Sequence, residues 1–312
     1  MSAVLTKMIK NNGFPLKIYE LLYNSCVTSI SDYGHEVIGF HQYPEIEKLH
    51  SKALRFYLGT GKTAPLCGLR SEMSWPEPRS RTQARMFGYY LHLRDLPDDR
   101  ITKKVFLFDQ NFSQKHTNQT CWSSEIKQIM NRNNLLLVSR ALAHKDLKML
   151  LKNSLLTHDI RKFKQDCSNS SMLRTYNTLL SPFVDHSNVT KYVKFNLPFI
   201  VRKRLCQLRL GCLPLKIQTD RYIKPRIPPS ERYCCQPECI SSSPTRFVED
   251  KVHFLCICKQ YDNLRNDLYT KVDFPMFSTL TIHNKFNILL THPPLAKIVG
   301  QFIVDAFDTR LK

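Results

Sequence analysis

Glu231-Arg-Tyr-Cys-Cys-Gln-Pro-Glu-Cys239, followed after a polar Ser-Ser-Ser-Pro spacer by Val248-Glu-Asp-Lys-Val-His-Phe-Leu-Cys-Ile-Cys258, decides how the carboxy-terminal third folds. Five of the chain's eleven cysteines and one histidine fall within this span. Cys235-x3-Cys239 and His253-x4-Cys258 have the ligand types and spacing of a tetrahedral Cys3His zinc site. Cys234 forms an equally legal first pair with Cys239, and Cys256 can replace Cys258, so the spacing leaves the ligand set open. Zinc imposes no geometry through its filled d shell. Four protein ligands also leave no position for water, so such a site folds a loop rather than catalysing. The alternative is a set of scattered core cysteines beside a core histidine. Two ligand pairs at short spacing argue against that.

Working outward, the chain has 312 residues, enough for one large or two modest domains. Glycine is scarce and apolar residues make up 42%, which predicts a globular, mainly α protein. Lys and Arg outnumber Asp and Glu by 46 to 26, a net charge of +20 that favours a polyanionic partner, RNA or DNA foremost. The first residues lack a signal-peptide h-region, and no apolar run reaches 18 residues. Cysteines in a chain without a secretion signal point to a reducing compartment, nuclear or cytoplasmic, and to metal ligation over disulfides.

Periodicity predicts helices over Leu16–Ile30, Pro44–Tyr57, Pro78–Asp95, Trp122–Asn131, Leu135–Leu156, Ile160–Leu180, Pro198–Cys212, Phe286–Leu290 and Leu295–Phe307. Val37-Ile38, bracketed by Gly34 and Gly39, reads as a short extended piece. Residues 108–121 read as a polar linker, and Ile223–Ser230 as a stiff proline-rich connection. No internal repeat is present.

Several stretches in this order are similar to the carboxy-terminal region of a non-long-terminal-repeat retrotransposon polyprotein. They are Leu22–Glu36 (LYNSCVTSISDYGHE), Ile46–Gly59, Leu96–Phe106, Trp122–Ile126, Leu205–Ile217 (LCQLRLGCLPLKI) with Arg221-Tyr222, and Tyr261–Arg265 (YDNLR). The resemblance covers nearly the whole chain. It implies reverse-transcriptase thumb-like helices over 1–107, a helical linker over 108–197, a basic helix and proline-rich connection over 198–230, a Cys-Cys-His-Cys zinc knuckle over 231–265, and terminal helices over 266–312. It also implies a partner polymerase upstream, with template RNA or target DNA held beside it. The family's first pair is usually Cys-x2-Cys, and this chain departs from it. The polymerase palm and its metal-binding aspartates have no counterpart here, so no catalytic residue is expected.

Two other motifs are weighed and set aside. Gly59-Thr-Gly-Lys-Thr63 lacks the leading glycine of a phosphate-binding loop and follows a helix where a strand is required. Asp98 with Glu125-Ile126-Lys127 mimics a metal-nuclease signature, but Glu125 lies in a helical pattern and Asp98 reads as a helix cap. The binding candidates are Arg202, Lys203, Arg204, Arg209, Lys216, Arg221, Tyr222, Lys224 and Arg226, opposed by the single acid Asp220. Leucines among them allow one side to pack while the other faces phosphate. Tyr222, Tyr233 and Phe254 offer rings for stacking on unpaired bases or, equally, for the core.

Overall fold

The computed structural model describes residues 15–41, 43–138, 141–176, 191–242 and 245–310, and among these the chain is mainly helical with no strand. The longer helices are α1 Leu16–Tyr23, α2 Pro44–Leu58, α3 Leu66–Met73, α4 Pro78–Arg94, α5 Ile101–Lys115, α6 Trp122–Arg132, α7 His144–Asn169, α8 Phe199–Arg209, α9 Asp262–Thr270, α10 Ile282–Thr291 and α11 Ala296–Arg310. Pro44 and Pro78 stand at the first positions of their helices, where the missing N–H costs nothing. Gly59, at φ 65°, stops α2 in the left-handed conformation that glycine adopts without strain. The chain forms two compact units. One takes residues 20–53 and 75–163, the other 1–19, 54–74 and 164–312. The boundary expected at 107/108 falls inside α5.

In the first unit, α4, α6 and α7 close over Met86, Phe87, Leu91, Ile126, Ile129, Met130, Leu147 and Leu151. The Trp122 indole N–H donates to the Glu36 carbonyl at 2.8 Å and pins the start of α6. Asp32 is 1% exposed and takes Arg81 at 2.6 Å and Arg85 at 3.6 Å, so two basic side chains of α4 serve the fold. Val37 and Ile38, expected to be extended, belong to a helical turn, His35–Ile38, entered through Gly34 at φ 71°. The turn closes on α4 because Gly39 has no side chain: a Cβ there would sit 2.3 Å from both the His35 carbonyl and the Thr82 methyl. Gly39→Ala is therefore expected to destabilise this unit by about 1–3 kcal/mol, read as a lowered urea midpoint. An unchanged midpoint would mean that the turn has room to shift.

Three further expectations change. Helix α5 runs through Lys115, well into the stretch read as a linker, and its Asp109 carboxylate accepts the Ser123 backbone N–H at 2.7 Å at the start of α6. The two helices expected over Leu135–Leu156 and Ile160–Leu180 are instead one, α7, which starts only at His144 and ends at Asn169; part of the second expected helix lies outside the described residues. Helices α3 and α9 were not anticipated. In the amino-terminal helix, Ser25 and Thr28 hydroxyls donate to the carbonyls of Leu21 and Asn24, both at 2.8 Å, and the backbone there widens into a π turn, Asn24–Thr28.

In the second unit, α8 packs against α11, with Val201, Leu205, Leu208, Val299, Phe302 and Ile303 buried. Phe254, Tyr261, Phe302 and Phe307 form an edge-on aromatic cluster beneath the cysteine segment, with ring centroids 5.3 to 6.5 Å apart.

Candidate metal centre and basic surface

Local backbone structure explains how the cysteine segment converges. Tyr233 and Val248 form an antiparallel bridge, with Cys234 N donating to the Phe247 carbonyl at 2.8 Å and Glu249 N to Arg232 at 3.0 Å. In extended backbone successive side chains point to opposite faces, so Cys234 turns inward and Cys235 outward. Pro237 starts a helical turn, Pro237–Ser241, that delivers Cys239. The Asp250 carboxylate accepts the His253 backbone N–H at 2.7 Å and opens a π turn, His253–Ile257. The turn closes when Cys258 N donates to the His253 carbonyl at 2.8 Å, which stacks two residues five apart on one side.

Four side chains meet there: Cys234, Cys239, His253 and Cys258 are all buried, and their donor atoms lie within 4.8 Å of one another. The Cys234 and Cys258 sulfurs are 3.8 Å apart, and the Cys239 sulfur is 3.5 Å from His253 Nε2. The group can hold a metal ion. The His253 ring stacks on Phe247 at 5.5 Å, which fixes its direction. The Cys258 thiol beside it, and then burial, push the Cys234 thiol up to about 12, and burial raises Cys239 as well. Crowded thiolates in a dry pocket repel one another, and a cation among them would reverse that. Arg265, buried beneath, donates to the carbonyls of Leu255 and Cys258 at 3.1 and 2.5 Å and also pairs with Asp262. It thus holds the carboxy-terminal half of the π turn.

The first cysteine pair of the cluster is therefore Cys234-x4-Cys239. Cys235 is exposed and stands outside the cluster. Cys256 is buried but also outside it, and burial pushes its thiol up to about 11.

The basic candidates separate into two groups. Arg202 is 1% exposed; its Nε donates to the Tyr57 carbonyl at 3.1 Å and its guanidinium lies 4.1 Å from the Tyr57 ring centroid. Arg209, two helical turns further on, is buried against Glu72 at 3.0 Å and donates to the Leu290 carbonyl at 2.5 Å. Both belong to the interior face of α8, and neither reaches a phosphate. They do not belong to the nucleic-acid-binding surface the sequence suggests. The second group stays at the surface. Lys203 is half-buried, and Arg204, also half-buried, lies 4.4 Å over the Phe307 ring. Lys216 pairs with Asp220 at 3.6 Å. Arg221 is half-buried, while Tyr222, Lys224 and Arg226 form an exposed run leading to the metal segment. Of the candidate rings, Phe254 is core, Tyr233 is half-buried and Tyr222 is 65% exposed.

The motifs set aside have local structural roles. Arg55 donates to the carbonyls of Gly61 and Ala64, both at 2.8 Å, and latches the loop after α2. Glu125 is buried on α6, 3.6 Å from Arg79, and Asp98 is exposed before α5, whose cap position is Arg100. Arg265 was legible only as part of a resemblance, and Arg232, which binds two carbonyl groups across the proline-rich connection, carried no sequence signal.

No protein-family model, curated protein or solved structure matches the chain.

Proposed function

We propose that this chain binds nucleic acid as the carboxy-terminal region of a non-long-terminal-repeat retrotransposon reverse transcriptase does, holding template RNA or target DNA without performing catalysis. In this reading a zinc ion is held by Cys234, Cys239, His253 and Cys258, where it supplies folding energy. The donor spacing supports zinc. Zn–S bonds of about 2.3 Å and a Zn–N bond of about 2.0–2.1 Å in a tetrahedron place sulfurs about 3.8 Å apart and sulfur about 3.6 Å from nitrogen. Two of the six separations, 3.8 and 3.5 Å, match these values, and all six lie within 4.8 Å. The single observation carrying the functional reading is that the exposed run Tyr222, Lys224, Arg226 leads directly into this quartet.

Six surface cations, Lys203, Arg204, Lys216, Arg221, Lys224 and Arg226, are available for phosphate. Each neutralised phosphate on a single strand adds about −0.7 to the log–log salt slope, so full engagement gives a slope of roughly −4. Replacing Lys203, Lys224 and Arg226 together by alanine is expected to flatten the slope by about 2. Fluorescence anisotropy on single-stranded RNA and DNA across a salt series measures this. An affinity that does not move with salt would overturn the reading.

A second reading, a non-catalytic structural or interaction protein derived from a transposon, draws support from the inward cations. Arg81, Arg85, Arg202 and Arg209 all have partners within their own unit, so part of the +20 charge serves folding. The salt series separates the two readings.

A further inference from the structure

A cavity of about 310 Å³ opens in the second unit between the turn at Ser171–Leu173, the turn at Lys216–Thr219, the proline-rich connection and the Val248–Val252 segment. Its charged lining is Arg174, Arg221, Arg226, Arg232 and Lys251 against one carboxylate, Asp250. That carboxylate is already engaged by the His253 backbone N–H. Arg232 is buried and rigidly held. Its Nε and Nη2 donate to the Ile227 carbonyl at 3.1 and 2.9 Å, and its Nη1 to the Ile217 carbonyl at 2.7 Å. Lys251 is buried too, with Nζ on the Arg209 carbonyl at 3.2 Å.

Carbonyls orient these two cations without neutralising them. Burying uncompensated charge is costly, so a lining of this kind is suited to receiving an anion. Arg174 and Arg226 are the exposed members of the lining, and Arg221 is half-buried. Arg221 makes a long contact to Gln218, at 3.5 Å, and Arg226 is exposed.

We propose that this cavity binds the phosphomonoester end of a nucleic-acid strand. The inference rests on the nucleic-acid reading above and sharpens it from tracking a backbone to recognising a terminus. Three observations select an end over an internal linkage. A terminal phosphate carries about −1.5 to −2 at neutral pH, with three strong acceptor oxygens, and so matches five cations better than a singly charged diester. The volume lies at the small end of nucleotide-sized sites, about 300–1,000 Å³, and suits one enclosed group rather than a run of several. Tyr222, exposed and 5.8 Å from the Arg221 guanidinium, offers the terminal base a ring to stack on.

The test titrates the full chain with short labelled single strands bearing a 5′-phosphate, a 3′-phosphate or hydroxyls at both ends. One phosphorylated strand is expected to bind about tenfold more tightly than the hydroxyl strand, since a charge-assisted contact to a terminal phosphate contributes at least that ratio. The R221A/R226A variant should lose this preference while keeping its metal content, which reports that the segment is folded. Equal affinity for all three strands overturns the inference and leaves the nucleic-acid reading standing. Binding of none overturns both. A preference that survives in R221A/R226A overturns the assignment to this cavity. Displacement of the phosphorylated strand by adenosine 5′-monophosphate at equal affinity makes the ligand a free nucleotide and overturns the strand end.

Discussion

Cys234→Ser is expected to abolish metal binding and to unfold the segment around the quartet, whereas Cys235→Ser leaves both intact. The two cysteines are adjacent in sequence but lie on opposite faces of the extended pair with Phe247 and Val248, one buried and one exposed. Structural zinc contributes about 10–16 kcal/mol in small modules of this kind, and that binding energy is folding energy. Beyond the buried quartet the segment is held by one bridge, two helical turns, the Arg265 and Arg232 clamps, the Glu249–Arg310 pair and the packing of Phe254, none of which replaces a ligand at the quartet itself. Cys239→Ser and His253→Ala should behave like Cys234→Ser. Because the crowded Cys234 thiol stands near 12 without a cation, metal uptake at neutral pH must displace a proton. Affinity therefore rises with pH and falls on acidification. Metal analysis of protein purified in reducing buffer, with a competition titration at several pH values, measures both effects. Stoichiometric metal in Cys234→Ser, or its loss in Cys235→Ser, would refute the assignment.

The sequence carried the helical class and most of the helices with clear periodicity, including α2, α4, α6, α8 and α11. Three residues of the buried Cys234, Cys239, His253 and Cys258 cluster were also expected, with Cys234 as the open alternative to Cys235, because residue type and short spacing are local signals. What the sequence could not carry was orientation set by distant partners. Choosing Cys234 over Cys235 required knowing that the chain pairs with Phe247 and Val248. The inward turn of Arg202 and Arg209 depends on Tyr57 and Glu72, which lie 145 and 137 residues away. A basic run looks alike whether it faces solvent or a buried carboxylate. Val37 and Ile38 failed for a similar reason. A β-branched pair between glycines reads as extended, but the contact of Gly39 with α4 selects a helical turn. Helix α5 outran its apolar signal because buried Phe106 and the cap that Asp109 lends to α6 hold a stretch that is otherwise polar.

Glu72→Ala should destabilise the second unit by about 3–5 kcal/mol, more than loss of any exposed ion pair in this chain. Glu72 is 0% exposed and Arg209 5%, with Nε and Oε1 3.0 Å apart. Burial works against the Arg209 charge, yet Glu72 and the nearby Tyr192 and Tyr176 phenols hold its pKa above the ordinary value. Removing Glu72 leaves a guanidinium in the core facing the Leu290 carbonyl and the ring of Tyr192. Arginine cannot shed its proton to escape that cost. Replacing both partners removes the charge altogether. A Glu72→Leu, Arg209→Met double variant is therefore expected to recover most of the stability that either single change loses. The measurement is a double-mutant cycle of urea midpoints. Single effects that add up in the double variant would show that the two side chains act independently, and the pair would then not be what anchors α3 to α8. A large coupling would mean that Arg209 is kept for the fold and is no part of the surface offered to nucleic acid.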